Sequence, residues 1–218
     1  MAKKSLRDAI SKQIYYELFP PTLSKSDRRR KEIIEGAIEA YASIDYNHIS
    51  FDDIATPANT SRRLVQHYFP DKDELFAVAM KVIRAQYQAL VVDAFSQMPT
   101  AKDQFCEYIR AAVSWPIHEP VHVRAWFLYY LVCAQQPKLR RLHEDLAKMG
   151  EQRIAALVAA MYPHKKISPS SLRFVAKTVQ RLIGGALLEI CSESTAPNVD
   201  RIQDEIVQAA LSIVNSVT

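Results

Sequence analysis

Glycine is scarce in this chain: its 218 residues include four, at positions 36, 150, 184 and 185. So few leave little material for the tight turns of a strand-rich fold, and alternating apolar–polar runs are absent as well. Cysteine is scarcer and odd in number, with Cys106, Cys133 and Cys191 far apart. That argues against a disulfide framework and for a reduced, cytoplasmic protein whose thiols are buried in apolar helical patterns. No basic residue adjoins any of the three, so a redox-sensing thiol has no supporting feature. Long apolar runs are also missing. The longest, residues 125–134, is about half of what a membrane span needs, and no membrane partner is expected. The opening MAKKSLRDAI carries charge but not the apolar stretch of a secretory leader. Nor does one sign of charge dominate. A net charge of +4 permits nucleic-acid binding without arguing for it. Residues 1–76 balance 12 Lys and Arg against 12 Asp and Glu.

What the chain does have is helix-forming sequence with proline punctuation, and it reads as all-α. Leu6, Ile10, Ile14 and Leu18 predict an amphipathic helix over 5–19, stopped by Pro20 and Pro21. It either packs on the body, which its apolar stripe favours, or forms a basic arm with Lys3, Lys4, Arg7 and Lys12. Ser26 is expected to cap a helix running to about residue 43, with Ile33, Ile34, Ala37, Ile38 and Tyr41 facing inward. Lys25, Arg28, Arg29, Arg30 and Lys31 form a basic run at its start. Further helices are expected over 72–95, 101–115, 121–135, 138–161, 171–192 and 199–216. Pro99, Pro116, Pro120, Pro137, Pro163, Pro169 and Pro197 mark the breaks.

The most informative stretch is Ser50 to Phe76. Ser50 can cap a short helix, with Asp53 three residues on. Pro57 cannot continue that helix. Asn59 stands where the chain must turn in the left-handed conformation, which Asn tolerates better than most residues. A second helix begins near Thr60 and carries Ser61, Arg62, Arg63, Leu64, Val65 and Gln66. Such a helix suits a DNA major groove, with its first residues at the base edges. An arginine pair can grip guanine and a glutamine can read adenine. Ser50, Thr60, Ser61, Tyr68 and Lys72 are suited to phosphates. Asp71 is expected to cap the long helix that follows. Lys72 beside that cap is electrostatically odd at a helix start.

Ile54, Ala55, Ala58, Asn59, Thr60, Ser61, Val65, Gln66, Tyr68, Phe69, Asp71, Lys72 and Leu75 together resemble the DNA-binding motif of the TetR family of bacterial regulators. The resemblance covers about residues 28–76. Three positions depart from the pattern: Asn59 replaces the usual turn glycine, Leu64 a small or hydroxyl residue, and Gln66 a tyrosine. The resemblance implies a helix-turn-helix domain at 26–76, preceded by a helical extension at 1–25 and followed by a ligand-binding and dimerisation domain at 77–218. Arg28 and His67 complete the expected DNA-facing set. It also implies a homodimer on a palindromic double-stranded DNA operator, most simply a repressor released by a small-molecule effector, with no cofactor, no metal and no enzymatic activity. Lys72 answers to a phosphate-contacting lysine in the family. The last two helices, near 171–192 and 199–216, match the family's dimer interface, and Gly184 and Gly185 would let another helix approach. The alternative for those stripes is intrachain packing alone.

Tyr87, Tyr108, Trp115, Trp126 and Tyr130 could line an effector cavity or simply fill a core. The stretch Val123–His143 resembles the C-terminal domain of the family's choline-responsive branch, which implies a cationic or small organic ligand held by aromatics. Two rivals come from other classes. His118-Glu119-Pro120-Val121-His122 matches the H-E-x-x-H signature of zinc metallopeptidases, but that chemistry needs one continuous helix, and Pro120 interrupts it. The other rival is a helical interaction protein that binds no DNA.

Overall fold

The computed structural model describes residues 22–193 and 196–218, so the helix expected over 5–19 lies outside the described residues. Among the described residues there are ten helices and no strand. They are α1 (Lys25–Tyr41), α2 (Phe51–Ala55), α3 (Arg62–Tyr68), α4 (Lys72–Ser96), α5 (Ala101–Val113), α6 (Trp115–His118), α7 (Pro120–Gln135), α8 (Pro137–Met161), α9 (Pro169–Ser192) and α10 (Val199–Asn215). The prolines fall where their chemistry permits. Pro120 and Pro169 sit in the first turns of α7 and α9, where a missing N–H costs nothing.

The start of α1 corrects one expectation. Its cap is Ser24, not Ser26: the Ser24 Oγ accepts from the Asp27 N–H at 3.1 Å, and the Asp27 carboxylate accepts from the Ser24 N–H at 3.1 Å. Ser26 already lies inside the helix, and only Ser24 has an acidic residue three positions on, which makes the reciprocal box.

The chain packs as two compact units. One extends to Ala89 and takes in Glu119–Leu142; the other joins Leu90–His118 to His143–Thr218. Helix α7 packs along α1 in the first unit, and its Tyr129 ring lies 6.1 Å from that of Phe76. The core of that unit is built from Ile33, Ile34, Ile38, Ile54, Val65, Phe69, Leu75 and Phe76, each at most 2% exposed. Phe76 stands edge-on to Tyr41 and Tyr46, with ring centroids 4.5 and 4.8 Å away.

In the second unit α10 packs on α5 and α9. Arg110 pairs with Asp204 at 2.7 Å, and the Gln203 side chain donates to the Arg110 carbonyl at 2.9 Å and to the Ser114 Oγ at 2.6 Å. The thiols are less uniformly buried than expected: Cys133 is buried, Cys106 half-buried and Cys191 exposed. Helix α4 is long and apolar enough to cross a membrane by length and composition, but 72% of that window is buried inside the protein. That is how a core helix behaves.

Candidate nucleic-acid interface

The interface is built on the crossing of α1 with the turn between α2 and α3. Gly36 makes the crossing possible. A Cβ placed there would lie 2.6 Å from the Ala58 backbone nitrogen. Ser50 caps α2 with Asp53 in a full reciprocal box, accepting from the Asp53 N–H at 3.3 Å and donating to its carboxylate at 2.6 Å. Those hydrogen bonds hold the Asp53 carboxyl below the usual range. Past Pro57 the Thr60 N–H reaches back to the Ala55 carbonyl at 3.0 Å. Asn59 takes φ 45°, the left-handed conformation its residue type suggests.

Helix α3 then starts at Arg62, with the Ser61 Oγ accepting from the Leu64 N–H at 3.3 Å. Val65 and Phe69 are fully buried, and they fix which way the helix faces. Arg62, Arg63, Gln66 and His67 are left exposed along its outer side. Tyr68 is half-buried, and its hydroxyl lies 3.3 Å from the Ser26 Oγ of α1. The Arg30 guanidinium covers the Phe69 ring at 4.6 Å.

The basic run at the start of α1 divides by role. Arg29 pairs with Glu32 at 2.7 Å and Lys31 with Glu35 at 3.5 Å, while Arg30 is engaged with Phe69. Lys25 and Arg28 remain exposed. Two charges on the α2–α3 side have partners the sequence did not reveal. Arg62 pairs with Asp52 of α2 at 3.1 Å, in the open. Lys72 donates to the carbonyls of Tyr46 and Ile49, both at 3.2 Å, and lies over the Tyr46 ring. A cation at that helix start is thus explained by the loop it ties down. Tyr46 in turn donates to the Asp73 carboxylate, which together with burial pushes its phenol well above the ordinary range.

The aromatic residues expected around an effector divide between the units. Tyr87, Trp126 and Tyr130 belong to the first, and Tyr108 and Trp115 to the second. Tyr108 is 2% exposed, with its ring 6.1 Å from that of Phe95, and Trp115 is 3% exposed. Trp126 stands edge-on to Tyr130 at 5.9 Å, and Tyr130 is 47% exposed. The H-E-x-x-H stretch is broken: His118 ends α6, and Glu119 leaves the helical region at φ −136°, ψ 60° before α7 begins. His122 lies 3.3 Å from Glu119. Burial lowers its pKa, against the pull of Glu119 and Glu35.

A three-helix unit with a capped, exposed second helix after a left-handed turn is a helix-turn-helix DNA-binding module. Residues 33–79 match the bacterial regulatory proteins of the tetR family. Over 128 residues the chain is 25% identical to the HTH-type transcriptional regulator BetI of Escherichia coli, a match that spans 57% of this chain and 65%, just under two thirds, of that relative. The fold is similar to a TetR transcription regulator from Haloarcula marismortui, with TM-score 0.72 and 13% identity over 87% of this chain and 98% of that one. It is also similar to a Saccharomonospora viridis protein, described as a transcriptional regulator and crystallised with choline, with TM-score 0.72 and 19% identity over 84% and 95% of the two chains. The family match covers residues 33–79, and the likeness of the chain as a whole to these solved regulators is one of fold.

Proposed function

We propose that the protein is a cytoplasmic, homodimeric repressor that leaves a near-palindromic operator when a small molecule binds. The observation that carries the DNA reading is the outer side of α3, where Arg62, Arg63, Gln66 and His67 are exposed on a helix fixed from behind by Val65 and Phe69. Arg62, Arg63 and Gln66 are assigned to base edges. Arg28, Ser50, Thr60, Ser61, His67 and Tyr68 are assigned to the surrounding backbone. The Lys72 ammonium already serves two carbonyls, so its contribution to phosphate binding is through the loop it holds.

Dimerisation is assigned to α9 and α10. Phe174 and Leu188, each 56% exposed, share one side of α9 with Arg181 and Gly185. The four fall within a sector of about 60° at helical spacing. A Cβ on Gly184 or Gly185 would have nothing within 4 Å among the described residues, so neither glycine is needed for packing against them. A twofold mate on this face would set half-sites about one helical turn apart. Effector binding is assigned beside α4, whose first turn is tied to the Tyr46–Ile49 loop through Lys72, so that movement of α4 re-aims α3.

The test is selection of genomic fragments by the purified protein beside an Arg62→Ala/Arg63→Ala variant. A palindromic site enriched by the first and not by the second supports the reading. Absence of enrichment by either at low salt refutes it.

A further inference from the structure

The loop of residues 45–49 decides where α2 begins, because Ser50, the next residue, is the α2 cap. Within it Tyr46 is 5% exposed and meets the first turn of α4 in three ways. Its carbonyl accepts from the Lys72 ammonium at 3.2 Å, its ring lies under that ammonium at 5.1 Å, and its hydroxyl donates to the Asp73 carboxylate. The Ile49 carbonyl also accepts from Lys72, at 3.2 Å. The ring is packed edge-on to Phe76 at 4.8 Å and stacked beside Tyr41 at 6.3 Å. Phenylalanine would fill that space equally well. What the hydroxyl adds is a second anchor of a different kind. Lysine is a flexible stem ending in a compact charge with three rotatable donors, so it holds the loop near α4 without fixing its angle. A tyrosine ring has two side-chain torsions and, packed as here, gives its hydroxyl a set direction. Lys72 and Asp73 are consecutive on α4 and leave its axis about 100° apart. The loop is thus gripped on two sides, and pivoting about one grip breaks the other.

We propose that Tyr46 and Asp73 are positioning residues for operator recognition. Both act through α2 and α3, without a contact to DNA of their own. The bond from hydroxyl to carboxylate fixes the angle of the 45–49 loop on α4. The loop sets the start of α2, and α2 leads through the left-handed turn at Asn59 to α3. Because the acceptor is ionised, this bond is stronger than one between neutral groups. An error in the loop angle moves Arg62, Arg63 and Gln66 away from the base edges they are to reach. A base contact needs distance and direction to be met together, whereas a phosphate contact is dominated by charge and tolerates displacement. Loss of the bond therefore costs specific binding and spares non-specific binding. This assignment rests on the DNA-binding reading above.

The experiment uses the full chain, the genomic fragment that wild type selects, and a duplex of equal length with scrambled sequence. Tyr46→Phe is expected to bind the selected fragment at least about fivefold more weakly, with unchanged affinity for the scrambled duplex and an unchanged slope of affinity against salt. Asp73→Ala is expected to match it. Asp73→Asn keeps an oxygen that accepts from the hydroxyl and should recover most of the loss. The double variant Tyr46→Phe/Asp73→Ala should bind no more weakly than either single one, because the same bond is lost in all three. Equal binding of the selected fragment by wild type and Tyr46→Phe overturns the proposal. So do additive losses in the double variant, or a reduced salt slope, which marks a phosphate contact instead. Hydrogen exchange on the DNA-free protein separates these results from a failure of the DNA-binding reading. Faster exchange over residues 45–55 is expected in Tyr46→Phe whether or not DNA is bound by wild type. That result with no fragment enriched by wild type refutes operator recognition and leaves the anchor standing. Unchanged exchange refutes the anchor itself.

Discussion

Gly36 offers the sharpest test of how the DNA-binding unit is packed. In the interior of a helix, replacing glycine with alanine ordinarily stabilises by about 1 kcal/mol, because the backbone loses less freedom on folding. Here the added Cβ would lie 2.6 Å from the Ala58 nitrogen, 2.7 Å from its Cβ and 2.8 Å from its Cα. Ordinary carbon contacts sit at about 3.5–4.0 Å, so the neighbours must separate by roughly 1 Å. The obstacle is the backbone of the α2–α3 turn and not a flexible side-chain end. The overpacking cost therefore belongs in the upper part of the usual range of about 1–3 kcal/mol. Subtracting the propensity gain leaves Gly36→Ala less stable by about 1–2 kcal/mol, and for a chain of this size that lowers Tm by about 2–8 °C. Urea unfolding followed by circular dichroism measures the first quantity and a thermal melt the second. Operator affinity should fall as well, because the displaced turn is the one that aims α3. A Gly36→Ala protein as stable as wild type, or more stable, would refute the close crossing of α1 over the turn.

Four further outcomes follow from the same geometry. Asn59→Gly should keep full stability, since φ 45° suits glycine, whereas Asn59→Ala should lose about 1 kcal/mol in the same urea assay. Ser24→Ala should cost about 1 kcal/mol through loss of the α1 cap, and Ser26→Ala clearly less, because its hydroxyl only meets Tyr68; equal losses would contradict the assigned cap. Gly184→Ala and Gly185→Ala should weaken self-association in sedimentation runs without destabilising the protomer, and unchanged association would remove α9 from the dimer face. His122 is held with a lowered pKa by burial, so the unfolded chain binds its proton more readily than the folded one. Its contribution is complete above the unfolded value of about 6.5 and is lost as pH falls through the lower folded value. Stability should therefore decline on acidification below about pH 6.5, and His122→Gln should flatten that decline.

Local chemistry made most of the helix-turn-helix legible in the sequence. Ser50 with Asp53, Asn59 at the turn, and Val65 with Phe69 each act within a few residues of themselves, so the sequence displays both partners. The Ser24–Asp27 box is written in the same way, in two residues three positions apart. What could not be read were pairings set by packing. Gly36 against Ala58, Lys72 against the carbonyls of Tyr46 and Ile49, and Asp52 against Arg62 join residues 10 to 26 positions apart. Their side chains carry no mark of one another. The grouping of α7 with α1 is of the same kind, since an apolar stripe shows that a helix is covered but not by what.

The Asp52–Arg62 pair bears on how a regulator finds its site among millions of others. Where α3 meets random sequence, an arginine free to grip any phosphate would hold the protein there and slow its search. With Arg62 paired to Asp52 at 3.1 Å, contact with arbitrary DNA would gain less from it, by up to the worth of that pair. Breaking an exposed pair costs at most about 1 kcal/mol, which a guanine offering two acceptors more than offsets and an isolated backbone contact does not. With Arg62 as a base-reading residue, as proposed above, the aspartate would set a threshold on residence time, keeping the protein travelling over the genome until a base worth stopping for is reached.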